Sequence, residues 1–255
     1  MLHSNKICIL TCALLTTIAL QSSAMEEKRM MQNDSSSNVP PVRHAGFISP
    51  GIAWINVDDI NDYLATMGIA SFKTVTPTLS IGGSKEIHDF IFESAVTLRY
   101  WKNNVNSNLR TSLFAGDVTW NCGYNVLPQT VRATFFPYAG IGAGLNSLRI
   151  RKDKMTTSEV FTVASTDAMI WQTMFLLTVG AGADIQLHMK DASRGMILGI
   201  RGGCTFDPFT KDRNWYSKGS TVENGPKLKQ NSAYIRLIFG SIRHHRHHPR
   251  RTTID

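Results

Sequence analysis

Apolar residues recur at every second position along most of the chain after about residue 46. In the segment 89–101, one set of alternate positions carries Phe90, Phe92 and Val96, and the other carries Glu93 and Arg99. A period of two is typical of a β-strand with two chemically different faces. The pattern predicts strands near residues 44–56, 70–82, 88–102, 109–125, 134–151, 169–189, 195–208 and 232–243.

The segment Trp171–Met189 is the most apolar part of the chain after its N-terminal region. As a transmembrane helix it would place Asp184 in hydrocarbon at a high cost. It also lacks the 3.6-residue period of an amphipathic helix. One set of its alternate residues is almost wholly apolar. The other set is mixed near Trp171 and becomes small or polar toward Leu187. We therefore predict one long strand.

The connections between the predicted strands mostly alternate in length. Short turns are predicted around residues 83–86 and 190–194, and a connection of about nine residues contains Pro128. Longer connections cover residues 152–168 and 208–231, whereas the connection at 103–108 is a short exception. Long connections at one end and short turns at the other are typical of outer-membrane barrels.

One helix is predicted in the connection between the first two strands, at Asp58–Met67. Asp58 or Asp59 is expected to cap its start, because aspartate side chains accept hydrogen bonds from the first free amides. Gly68 is expected to end it.

Alternation alone does not say which face of the sheet is inside. A soluble ligand-binding barrel has an apolar interior, whereas a membrane barrel has an apolar exterior. The polar positions are rich in small residues such as Gly140, Gly142 and Gly144, which suit a crowded interior better than a water-exposed surface. We predict an all-β fold: an eight-stranded antiparallel closed transmembrane β-barrel with one short loop helix. An interior of this width is expected to be filled by side chains.

Large aromatic residues fall near the ends of the predicted strands. Trp54, Trp101 and Trp171 lie toward the end with long connections, and Phe239 lies toward the short turns. Aromatic girdles mark the two membrane interfaces of such barrels. These four residues are therefore predicted to be interface anchors.

Charged residues at interior positions need partners. If the hairpin between the sixth and seventh strands is centred between residues 192 and 193, Asp184 lies directly opposite Arg201 on the inside. Glu93 and Arg236 also fall on inward positions and are candidates for the same network. We interpret these charges as structural rather than catalytic or conducting.

The ends of the chain differ from the alternating region. Residues 1–24 have the composition of a secretory signal peptide, and residues 25–43 that of a disordered periplasmic leader. The barrel is assigned to residues 44–243 and a His/Arg-rich tail to residues 244–255. The formal net charge of +8 owes much to arginines in and near this tail, which favours contact with anionic lipid headgroups over a nucleic-acid-binding fold.

No catalytic, cofactor-binding or metal-binding residue is predicted. The tail sequence HHRHHPRR has imidazoles that could bind metals, but a segment without fixed geometry is interpreted as a solvated basic tail. Trp215 and Tyr216 are either an exposed recognition surface or an interfacial anchor. Cys122 and Cys204 are either bridged or free.

Four segments resemble strands of the small outer-membrane β-barrel proteins of the OmpA/OmpW-like superfamily. They are PYAGIGAGLN (137–146), TVGAGADIQL (178–187), GIRGGCTFDP (199–208) and AYIRLIFG (233–240). The resemblance implies insertion by the outer-membrane assembly machinery, both termini in the periplasm and long loops outside. Such barrels often end on an aromatic residue, whereas here 16 residues follow Phe239.

We therefore expect a structural or surface-interaction role in the outer membrane of a Gram-negative bacterium. The expected partners are outer-membrane lipids and a surface ligand that the sequence does not identify. A lipid-modifying enzyme and a small-solute channel are the alternatives. An enzyme of this kind would need a histidine near the outer end, and His44, His88 and His188 are all predicted near the periplasmic end.

Overall fold

The structure is a computed structural model that describes residues 42–104, 109–128, 131–152, 167–188, 194–209, 214–217, 220–222, 225–226, 228 and 231–245. The predicted signal peptide, most of the leader and most of the tail lie outside these residues. The elements are β1 (Val42–Ile55), α1 (Asp58–Thr66), β2 (Val75–Ile87), β3 (Phe90–Asn104), β4 (Leu109–Tyr124), β5 (Ala133–Lys152), β6 (Asp167–His188), β7 (Arg194–Phe206), β8 (Trp215–Ser217), β9 (Ser220–Val222) and β10 (Ser232–His245).

Eight of the strands close into a barrel. Their order is β5-β4-β3-β2-β1-β10-β7-β6, and β5 pairs with β6 to complete the ring. Every pairing is antiparallel. The short strands β8 and β9 form a hairpin that joins β6 through one pair, Trp171 and Tyr216. The predicted eight-stranded antiparallel closed barrel is confirmed.

The second strand lies five residues later than predicted at each end, at Val75–Ile87 instead of 70–82. The chain turns at His88 and Asp89, not at residues 83–86, and His88 takes a positive φ of 58°. Gly82 and Gly83 continue the strand. A side chain at Gly82 would meet Phe47 Cζ at 2.7 Å, so this glycine serves close packing rather than a turn.

The helix α1 has nine residues, and Gly68 follows it with a φ of 68°. Gly68 therefore ends the helix as predicted. The predicted cap at its start is wrong: Asp58 and Asp59 are the first helical residues, and Val57 precedes them without a side-chain cap. Within the described residues, no helix is long and apolar enough to cross a membrane.

Large apolar side chains point outward from all eight barrel strands. One example from each strand, between 39% and 60% exposed, is given by Ile48, Ile81, Val96, Trp120, Ile141, Leu177, Ile200 and Leu237. The alternate side chains point inward, and many are polar or charged. The barrel thus has an apolar outside and a polar inside, which is the predicted sense of the two faces.

The two ends of the barrel differ. The end that carries α1 and the β8–β9 hairpin is called the outer end. The end that carries the His88–Asp89 turn, Val42 and His245 is called the inner end. An apolar cluster fills the outer end, charged and hydroxyl side chains fill the middle, and smaller apolar clusters lie toward the inner end.

Candidate functional site

Arg201 of β7 is the centre of the charged interior and is 1% exposed. Its Nη1 and Nη2 donate to Asp184 Oδ1 and Oδ2 at 2.6 and 2.9 Å, and its Nε donates to Glu93 Oε2 at 3.0 Å. Its guanidinium also lies 4.6 Å from the centre of the Phe136 ring. A forked arginine–carboxylate pair is strong and geometrically specific, so this contact fixes β3, β6 and β7 relative to one another.

The register of the β6–β7 hairpin differs from the predicted one. Arg201 pairs with Gly182, and Asp184 pairs with Gly199, so Arg201 reaches Asp184 diagonally. A shift of two residues keeps each side chain on its face, which is why both charges still point inward. A side chain at Gly199 would overlap the Asp184 carboxylate, so the glycine makes room for that carboxylate.

Arg236 of β10 lies in the interior but hydrogen-bonds to hydroxyl groups rather than to Glu93. Its Nη1 donates to Ser80 Oγ at 3.0 Å and to Thr97 Oγ1 at 3.3 Å. Its guanidinium lies 4.5 Å from the centre of the Tyr234 ring. Arg236 is therefore the centre of a second polar cluster in the same interior.

A third interior pair joins Arg99 of β3 and Asp117 of β4, which the sequence interpretation did not single out. Arg99 Nη1 lies 2.8 Å from Asp117 Oδ2, and both side chains are at most 5% exposed. Both residues occupy the inward positions of their strands. The signal that could have identified the pair is a charged residue at an inward position on each of two neighbouring strands.

The deeply buried charges of the described barrel strands balance. They are the cations Arg99, Arg201 and Arg236 and the anions Glu93, Asp117 and Asp184. An uncompensated charge in a low-dielectric interior is very costly. A balanced set avoids this cost in a filled interior.

Three of the four predicted interface aromatics point outward, and the fourth does not. Trp54 is 39% exposed and Phe239 is 49% exposed, whereas Trp171 is half-buried because it stacks on Tyr216 at 4.9 Å. Trp101 is 5% exposed and points inward, so its assignment as an interface anchor is wrong. Trp101 lies an even number of residues from Glu93 on the same strand, so both side chains point inward.

The apolar cluster at the outer end is called the outer cap. Its loop and helix residues pack on Trp101, Leu113 and Leu148 of the barrel; they are Val57, Ile60, Leu64, Ile69, Phe72, Trp215 and Leu228. Trp215 is 1% exposed and donates its indole N–H to the carbonyl of Pro226. Trp215 is therefore not an exposed recognition residue.

Hydrogen bonds hold the two loops of the cap. Asn61 of α1 donates from Nδ2 to the Phe72 carbonyl at 3.0 Å and accepts from the Phe72 amide at 2.7 Å. The Asn56 amide donates to the Asn231 carbonyl at 3.3 Å, which ties the α1 loop to the loop before β10. Ser217 Oγ donates to the Met169 carbonyl at 3.1 Å. The cap is thus fastened to the barrel by polar contacts as well as by its apolar core.

Two cavities lie inside the described barrel and both are small. One, of about 10 Å³, is lined by Thr78, Arg99 and Arg236 among others. The other, of about 20 Å³, lies toward the inner end beside Glu86 and Asp184. Each has room for about one water molecule.

The remaining candidate groups are dispersed. His44, His88 and His188 lie at the inner end, and neither Cys122 nor Cys204 is part of a disulfide. Within the described residues, no group of three or more metal-ligating side chains is close enough to hold a metal ion. The histidines of the tail beyond His245 lie outside the described part of the chain.

Comparison with known proteins finds likeness in structure alone. Neither the protein-family models nor the curated proteins contain a match to this sequence. The barrel is similar to Neisserial surface protein A, with 14% identity, a TM-score of 0.37 and coverage of 79% of this chain and 96% of that one. It is also similar to a major outer membrane protein from Thermus thermophilus, with 9% identity, a TM-score of 0.41 and coverage of 80% and 99%.

A further similar structure is the attachment invasion locus protein of Yersinia pestis, with 6% identity, a TM-score of 0.36 and coverage of 80% and 98%. Since the identities are low, the functional argument rests on the residues of this chain.

Proposed function

We propose that this chain is a non-conducting outer-membrane barrel that holds a structured cap at the cell surface for interaction with surface ligands. The inner end, with both described chain ends, faces the periplasm in this arrangement. The outer end faces the exterior.

The observation that carries the membrane location is the apolar belt around the whole barrel. Exposed large hydrophobic side chains occur on all eight barrel strands, and central positions such as Ile81 and Ile48 are 60% and 53% exposed. Soluble monomers rarely expose continuous apolar patches larger than a few hundred Å². Lipid is the solvent that such a surface fits, and closure of the sheet leaves no unpaired edge in hydrocarbon.

The filled interior supports a non-conducting barrel. The outer cap covers the outer end, the ion pairs of Arg201 and Arg99 cross the middle, and the described cavities measure about 10 and 20 Å³. A hydrated ion or solute would have to displace several of these contacts. This arrangement disfavours the small-solute channel.

The cap supports the interaction role because it presents a fixed helix. Ile60 and Leu64 are buried in the cap, whereas Asp58 and Asp62 on the same helix are exposed at its surface. Binding a partner to a polar helix face that is already ordered costs less conformational entropy than binding it to a flexible loop. For the lipid-modifying enzyme, the positions of His44, His88 and His188 at the inner end offer no base near the outer leaflet.

Reconstitution into phosphatidylcholine vesicles tests the location and the closed interior. We expect a β-rich protein that stays in the vesicles, migrates differently on gels before and after heating, and shows no stepwise conductance in planar bilayers. A barrel that remains soluble without detergent contradicts the membrane location. Regular single-channel steps contradict the non-conducting interior.

The surface role is tested by adhesion. Bacteria that display the wild-type barrel are compared with bacteria that display the Asp58→Asn, Asp62→Asn variant on epithelial cell layers. We expect the variant to adhere less, and a Lys85→Gln variant at the inner end to adhere as well as the wild type. Adhesion of the wild type equal to that of bacteria without the barrel overturns the interaction role.

A further inference from the structure

A group of cations lies on the outward face of three neighbouring strands at the outer end. The group, called the basic patch, consists of Lys102 of β3, Arg110 of β4, and Arg149 and Arg151 of β5. Lys102, Arg149 and Arg151 are exposed and Arg110 is half-buried. The four therefore form one charged surface on the side of the barrel.

The register brings like charges together. Arg110 is the direct cross-strand partner of Arg151, and Ser112 lies between Lys102 and Arg149 as the partner of both. Side chains in directly opposed positions have Cβ atoms about 5 Å apart, and like charges there are destabilising. Asp167 is the cross-strand partner of Arg151. The four cations and Asp167 give this part of the described surface a formal charge of +3.

The patch lies directly beyond the apolar belt. Lys102 follows Tyr100 by two residues on the outward face of β3, and Ser112 precedes Phe114 by two on β4. Tyr100 is 55% exposed and Phe114 is 38% exposed. A cation one step above the last apolar residue lies at the level of the lipid headgroups.

A groove of about 220 Å³ continues from the patch at the same level. Lys73 and Lys102 line it together with Phe72, Tyr100 and Trp101. Both lysines are exposed. Cations beside the exposed ring of Tyr100 suit a ligand that carries phosphate groups on a sugar ring.

We propose that the basic patch and this groove bind the headgroup of a phosphorylated glycolipid in the outer leaflet. The cations contact the phosphate groups, the groove accepts part of the sugar, and the acyl chains lie along the apolar belt. The inference rests on the proposed membrane location. A water-soluble phosphate would gain the same ionic contacts without the contribution of the belt.

The test uses the full chain in phosphatidylcholine nanodiscs that contain rising fractions of lipid A, a diphosphorylated glycolipid, or the same lipid after removal of its phosphates. Native mass spectrometry measures the share of barrels that retain the glycolipid. The Lys102→Gln, Arg151→Gln variant removes two exposed cations of the patch. The matched control is Lys85→Gln, Arg132→Gln, which removes one exposed lysine and one exposed arginine at the inner end.

We expect the patch variant to bind lipid A about 30-fold more weakly, since each cation near an anionic lipid surface contributes about fivefold. The control should bind within about twofold of the wild type, and the dephosphorylated lipid should bind weakly to all three proteins. A Lys102→Arg, Arg151→Lys variant keeps both charges and should retain most of the affinity.

Equal affinity of patch variant and control overturns the proposal, as does equal retention of the dephosphorylated lipid. Displacement of lipid A by inorganic phosphate at matched concentration would show a site for free anions and also overturns it. Failure of the wild type to enter nanodiscs is a different result, because it contradicts the proposed membrane location itself. Heat-dependent gel migration confirms that each variant is folded.

Discussion

Replacing Arg201 with methionine removes the cation that holds two buried carboxylates. Methionine keeps an unbranched side chain in the space beside Phe136. What is lost is the guanidinium, with its hydrogen bonds to Asp184 at 2.6 and 2.9 Å and to Glu93 at 3.0 Å. Asp184 and Glu93 are each 5% exposed, so bulk water does not replace these contacts.

The expected loss follows from the charges left behind. Removing one partner of a buried ion pair costs about 3–5 kcal/mol of folding free energy, because the other charge stays buried without compensation. Arg201 compensates two carboxylates, so we expect a loss of about 5 kcal/mol, the upper end of that range. If this reasoning holds, adding Glu93→Gln and Asp184→Asn should restore most of it, to within about 2 kcal/mol of the wild type.

The measurement is equilibrium unfolding by guanidinium chloride in lipid vesicles, followed by tryptophan fluorescence. Heat-dependent gel migration checks that each variant folds first. Lys85→Met removes a cation at an exposed position of the inner end and should change stability by less than about 0.5 kcal/mol. An Arg201→Met variant within about 1 kcal/mol of the wild type, or a triple variant less stable than the single one, would refute a role for charge compensation.

Three further substitutions test the two faces and the cap. Gly199→Ala should cost about 1–3 kcal/mol in the same unfolding assay, because the new methyl group meets the Asp184 carboxylate. Gly46→Ala, with open space around it, should cost much less. Equal losses in the two variants would contradict this reasoning. Ile81→Arg, at the centre of the β2 outer face, should cost about 2–4 kcal/mol in vesicles, and an unchanged stability there would argue against lipid contact. Trp215→Ala should destabilise the cap by about 3–5 kcal/mol and expose the loop before β10 to protease in vesicles, with the barrel still heat-modifiable; a loop as resistant as in the wild type would refute its anchoring role.

Alternation along the strands was enough to predict the fold and the side on which most residues lie. Successive side chains of a regular strand point to opposite faces of the sheet. The positions that carry polar residues therefore identify the interior face. The same rule placed Asp184 and Arg201 on one face. It did so although the predicted register of the hairpin differs from the observed one by two residues. A register error of two residues leaves each side chain on the same face of the sheet, but it changes the residue that lies directly opposite.

Turns and the cap could not be predicted in the same way. A turn was predicted to begin at Gly83, but the chain turns at His88 and Asp89, and Gly83 continues the strand. The burial of Trp215 depends on contacts with α1 and the interior of the barrel, which are distant in the chain. Local sequence carries no signal for such contacts.

The polar interior also explains how this sequence selects a single register. Lipid gives no hydrophobic reason for apolar side chains to point inward, so packing of Ile or Leu alone would distinguish poorly between neighbouring registers. A slip of one residue along β7 would turn Arg201 toward lipid and Ile200 toward the interior. An arginine at the middle of the lipid face costs about 2–4 kcal/mol, and the same slip would leave Asp184 and Glu93 without their cation. The charges of Arg201, Arg236 and Arg99 therefore favour the native register over neighbouring ones. Their removal should broaden the range of strand pairings during refolding and lower stability.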